Sequence, residues 1–108
     1  MNSSRLKVTS IAVKQHLLEF ARRQHEDFRF GGAGGKQIAK GVKFAHEVIQ
    51  QTPMLADAGM YLDVLEKLLV EERNRIRGSS DDDPEGRVLK GMQAVISEVR
   101  AERQINLT

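Results

Sequence analysis

The sequence predicts an all-α fold, a compact bundle of about four helices forming one domain over residues 1–108. Three observations carry that expectation. Apolar residues recur at spacings of three, four and seven along four stretches, the period of a helix that buries one face. Clusters of Gly, Pro and Asp separate those stretches, and these residues favour turns and helix ends. No stretch shows the apolar–polar alternation of a half-buried strand, and no internal repeat is present.

The first helix is expected from about Thr9 to Phe28, with Val13, Leu17, Phe20, Ala21 and Phe28 on its apolar face and Thr9 or Ser10 as its N-cap. A polar run, Arg22 to Asp27, should face water for most of its length. Gly31-Gly32-Ala33-Gly34-Gly35 follows. Each glycine costs a helix about 1 kcal/mol relative to Ala, so residues 31–35 are expected to be a flexible loop.

The second helix should span about Lys36 to Gln51, with Ile38, Val42, Ala45, Val48 and Ile49 apolar and Lys36, Lys40, Lys43 and Glu47 on another side. Thr52-Pro53 reads as N-cap and first residue of a third helix, because proline lacks the N–H that goes unsatisfied there. That helix is expected to run to about Arg77, with the row Leu55, Ala58, Leu62, Leu65, Leu69 and Ile76 interrupted by Glu72. Gly78 should end it, and residues 78–83 form an acidic loop. Asp83-Pro84 repeats the cap pattern before a fourth helix to about Gln104, carrying Val88, Met92, Val95 and Val99. The third and fourth helices should pack as an antiparallel hairpin. Leu62, Leu65, Leu69, Val88, Met92 and Val95 form a seam that is expected either to fill the core or to pair with a second copy of the chain.

At 108 residues the chain is long enough to bury roughly two-thirds of its unfolded surface. It contains no cysteine, which excludes disulfides, thiolate metal sites and a cysteine nucleophile. Residues 1–13 hold no continuous apolar run and no stretch approaches the ~18 apolar residues of a membrane span. The expectation is a cytoplasmic protein that does not enter the membrane. Charge is uneven: residues 1–50 hold nine Lys and Arg against four acids, and the remainder eight against eleven. Such asymmetry suits an acidic partner, a nucleic acid, or attraction between the two halves themselves.

Motifs for chemistry fail on their spacing. The glycine run before Lys36 is one residue short of a phosphate-binding loop, and Gln37 stands where Ser or Thr would meet Mg²⁺. Gln37 to Val42 leaves too short a step between Ala39 and Gly41 for a helix-turn-helix, so Gly41 reads as one tolerated glycine in a continuous helix. His16, His25 and His46 include no pair at the i, i+4 spacing of a helical metal clamp, and Asp81-Asp82-Asp83 lacks the glycine and terminal glutamate of a calcium loop. No serine sits in a nucleophile-elbow sequence. No metal, cofactor or catalytic residue is therefore expected.

The leading functional expectation is a non-enzymatic helical interaction, accessory or inhibitor module with a protein partner, in the acidic-partner form or as a homodimer. The alternative is nucleic-acid binding through the basic half. Arg22, Arg23, Arg29, Lys36, Lys40 and Lys43 would meet phosphates, with Phe28 and Phe30 placed either to stack bases or to plug the end of the core.

Overall fold

A computed structural model describes residues 9–32, 34–78 and 86–107 of the chain. They form four helices, α1 (Ser10–Arg29), α2 (Gly35–Gln51), α3 (Ala58–Gly78) and α4 (Arg87–Leu107), with no strand among the described residues.

Thr9 caps α1, its hydroxyl accepting the Ala12 N–H at 3.1 Å. Val13, Leu17 and Ala21 then follow at four-residue steps and are fully buried. The described glycines of the run turn the chain tightly between α1 and α2. The Gly31 and Gly35 N–H groups donate to the carbonyls of Phe28 and Gly32. Gly32 and Gly34 take φ of +98° and +82°, a region where other residues are strained. A Cβ on Gly35 would lie 2.0 Å from the Phe28 carbonyl oxygen.

The expected start of α3 is corrected. Thr52 closes α2 rather than opening α3, since its N–H and its hydroxyl both donate to the Val48 carbonyl, at 3.0 and 2.6 Å. Pro53 also disfavours helical backbone in the residue before it, and Thr52 is extended. Five residues later, Asp57 opens α3: its carboxylate accepts the Met60 N–H and its carbonyl the Tyr61 N–H, both at 2.9 Å. The Asp83-Pro84 cap and the acidic residues 79–83 lie outside the described residues. The regular part of α4 begins at Arg87, after Gly86 at φ +69°.

Side-chain pairs fix the topology. Lys14 reaches the Gln50 carbonyl, so α1 and α2 are antiparallel. Arg73 with Gln93, Glu66 with Arg100 and Asp63 with Arg103 make α3 and α4 antiparallel, as expected. Ser10 donates to the Ala56 carbonyl, which sets the starts of α1 and α3 side by side. The bundle is therefore up-down-up-down, yet its most extensive packing joins α1 to α2, α2 to α4 and α4 to α3. The parallel pair α2 and α4 forms the middle.

Glycine makes that central contact. A Cβ on Gly41 would sit 1.9 Å from the Val88 carbonyl oxygen, and one on Gly91 would sit 2.0 Å from that of Ile38. Backbone meets backbone at this crossing, with Ala39, Val88 and Met92 buried around it. Gly41 is thus a packing requirement and not merely tolerated. Below the crossing, Val42, Ala45, Ile49, Leu62, Leu65, Leu69, Val95, Ile96 and Val99 join the α1 residues in one core. No helix of the described residues is long and apolar enough to cross a membrane.

Candidate anion-binding face

Of the residues expected to meet a partner, the seam set lies inside the chain. Leu62, Leu65, Leu69, Met92 and Val95 are fully buried and Val88 is 5% exposed. A dimer built on them would have to open the bundle, so that expectation is corrected: the chain's own core covers the seam.

The basic residues divide into two groups. Arg22 is held by Glu19 at 2.5 Å and Glu26 at 3.1 Å, and Arg23 by Glu19 at 3.1 Å. These are neighbours three and four residues apart on one helix. The hydrogen bond from Arg22, foremost, holds the Glu19 carboxyl below the usual carboxylate range, so both arginines are already engaged. Arg29, Lys36, Lys40 and Lys43 are exposed and form no ion pair among the described residues. Lys36, Lys40 and Lys43 fall at i, i+4 and i+7, a single stripe about 10 Å long on the outer face of α2, closed at its far end by Glu47.

Beside this stripe a groove between α1 and α2 encloses about 260 Å³, lined by Ala21, Arg22, His25, Glu26, Arg29, Lys43 and His46. That volume is below the usual range for drug-sized ligands and suits a group such as a phosphate. Three cations and two imidazoles face one carboxylate there. Burial holds the His46 imidazole below its ordinary value, Glu47 pulls it back up and His25 pushes it further down. An anion in the groove would reverse that balance by favouring the protonated ring.

The start of α2 continues the positive surface. Its N-cap is Gly34, which gives no side-chain hydrogen bond, and its first turn holds no acid. The positive end of the helix is therefore compensated by no residue of its own first turn. Lys36 stands in that turn, and the Arg87 guanidinium packs against Gly34 closely enough that a Cβ there would lie 2.7 Å from it.

The two phenylalanines expected to stack bases part company. Phe28 packs against the core, whereas Phe30 is 77% exposed with the Arg29 guanidinium 5.1 Å from its ring centroid. Lys40 lies 5.9 Å from the Phe44 ring.

Two features escaped the sequence. His25 and His46 share the groove although they belong to different helices. On the α1–α4 flank, His16, Glu98 and Glu102 bring one ligand atom each within 4.8 Å of one another. No family model matches the chain, and neither curated proteins nor solved structures match it.

Proposed function

We propose that the protein is a non-enzymatic helical binding module that takes a polyanion, the phosphate backbone of a nucleic acid, on its α1–α2 face. The observation that carries this reading is the exposed stripe Lys36, Lys40 and Lys43 with Arg29, which has no ion-pair partner among the described residues and borders a cationic groove. Ionic contacts to phosphate supply most of the affinity of such binders without reading sequence. Phe30 adds an exposed ring on which one base can stack. Arg22 and Arg23 contribute less than the sequence suggests, because Glu19 and Glu26 occupy them.

The test is fluorescence anisotropy with a labelled single-stranded oligonucleotide, comparing the wild type with K36E/K40E/K43E. These three residues are exposed, so the variant should keep its helical circular dichroism. A loss of about 100-fold or more in affinity is expected, since three attractions become three repulsions. Unchanged affinity would remove the face from consideration.

A second reading has its own observation. A groove of about 430 Å³ between α2 and α3 is lined by Val48, Pro53, Leu68, Glu71, Glu72 and Arg75 among others. Met60 and Val64, 62% and 37% exposed, stand eight and four residues before Leu68 on α3. A protein partner or a second copy of the chain would cover such a surface. Light scattering that finds a clean monomer at tens of micromolar removes the homodimer.

A further inference from the structure

We infer that His16, Glu98 and Glu102 form a binding site for a divalent transition-metal ion of the Zn²⁺ type, clipping α1 to α4. The His16 Nε2 lies 2.7 Å from Glu98 Oε2 and 3.7 Å from Glu102 Oε2. Ligand atoms around a tetrahedral Zn²⁺ with bonds near 2.0–2.1 Å stand about 3.3 Å apart, and the two distances bracket that value. All three ligand atoms lie within 4.8 Å of one another. One imidazole and two carboxylates are borderline-to-hard donors that suit Zn²⁺, Mn²⁺ or Fe²⁺. Three protein ligands leave the remaining coordination position open to water or to a group from another molecule.

The ligands are held by the fold. Val13 and Leu17 flank His16, and Val95, Ile96 and Val99 flank the two glutamates, all five fully buried. Glu98 and Glu102 stand at i, i+4 on one helix face. What separates the His16–Glu98 pair at the centre of this trio from an ordinary surface ion pair is the identity of its neighbours. Glu19, Glu66 and Glu72 each bind arginine. By contrast, no Lys or Arg occupies a position three or four residues from His16 or Glu98. Among the described residues the ionic partner of Glu98 is the imidazole alone. Because direct packing between α1 and α4 is thin, a metal bridging residues 82 positions apart in sequence would stabilise a sparse part of the bundle.

Isothermal titration of the full chain with ZnCl₂, alongside thermal unfolding, tests the site. The wild type should bind one Zn²⁺ per chain and its unfolding midpoint should rise by about 10 °C or more at ~100-fold excess over Kd. H16A and E98Q should each lose about ten-fold or more in affinity and most of that rise. His16 is exposed, so H16A should retain its helical circular dichroism; if it does not, E98Q and H16Q decide. H25A/H46A should bind as the wild type does. No binding by the wild type at about 100 μM, undiminished binding by the folded ligand variants, or loss of binding in H25A/H46A would each overturn the proposal.

Discussion

Substituting Gly41 by Ala adds a single methyl group, and the α2–α4 crossing has no room for it. The added carbon would lie 1.9 Å from the Val88 carbonyl oxygen, 2.8 Å from its carbonyl carbon and 3.1 Å from the Met92 nitrogen. Carbon and carbonyl oxygen in contact between helices stand about 3.3–3.6 Å apart, so the backbones must separate locally by roughly 1.4 Å. A gap of 0.5–1 Å already forfeits about a quarter to a half of a dispersion contact, and Met92 and Val88 are buried beside the crossing. Overpacking of this kind costs about 3 kcal/mol, against a helix-propensity gain for Ala of about 1 kcal/mol. The expected net loss is about 2 kcal/mol, or roughly 8 °C in thermal midpoint. Urea unfolding followed by far-ultraviolet circular dichroism should show a midpoint lower by about 1 M or more at unchanged slope. Gly91→Ala should behave alike, because its Cβ meets the Ile38 carbonyl at 2.0 Å. The double variant should cost less than the sum, since helices already parted admit the second methyl. Gly78→Ala, whose Cβ meets no described atom within 4 Å, serves as the control. A G41A protein as stable as the wild type would refute the close crossing.

Tyr61 is fully buried, its hydroxyl has no hydrogen-bond partner among the described residues, and burial pushes its ionisation up. Tyr61→Phe should therefore be neutral or stabilising by about 1 kcal/mol, and a clear loss in urea would reveal a bond to that oxygen. Hydrogen bonds from Arg100, then Arg103, hold the Glu66 carboxyl below its ordinary range despite opposing desolvation. Its contribution is thus present above the unfolded carboxylate value and lost as pH falls through the lower folded one. Glu66→Gln should cost about 1 kcal/mol at pH 7, and the gap from wild type should close towards pH 2. His46 is likewise depressed, by burial first. Its neutral form stabilises the fold above the ordinary imidazole value near 6.5, and that stability fades as pH falls through the lower folded value. Nucleic-acid affinity should rise over the same window as the groove gains charge, and a pH profile for H46A as steep as the wild type's would contradict this.

Periodicity made the buried faces readable: Val13, Leu17, Val42, Leu65 and Val99 all lie where a 3.6-residue repeat places them. The start of α3 was not readable, because Thr52 and Asp57 are both good cap residues and only the folded chain shows that Thr52 bonds backwards to Val48. The surplus apolar seam that suggested a dimer is absorbed because Gly41 and Gly91 let α2 and α4 approach at backbone contact. A glycine's partner across a helix crossing leaves no mark in its own segment. At the site, the lysine stripe follows from spacing within one helix. The engagement of Arg22 by Glu19 and Glu26 was equally local and was open to the same reasoning. The meeting of His25 with His46, and of His16 with residues 98 and 102, depends on how the helices are arranged, which a single-helix pattern does not encode.

The most direct test of the proposed function is the salt dependence of wild-type binding to a labelled single-stranded oligonucleotide, measured by anisotropy from about 50 to 300 mM salt. With Arg29, Lys36, Lys40 and Lys43 each meeting one phosphate, the logarithm of affinity should fall against the logarithm of salt with a slope of about −3. Absence of binding at the lowest salt, or an affinity indifferent to salt, would contradict a polyanion on the α1–α2 face.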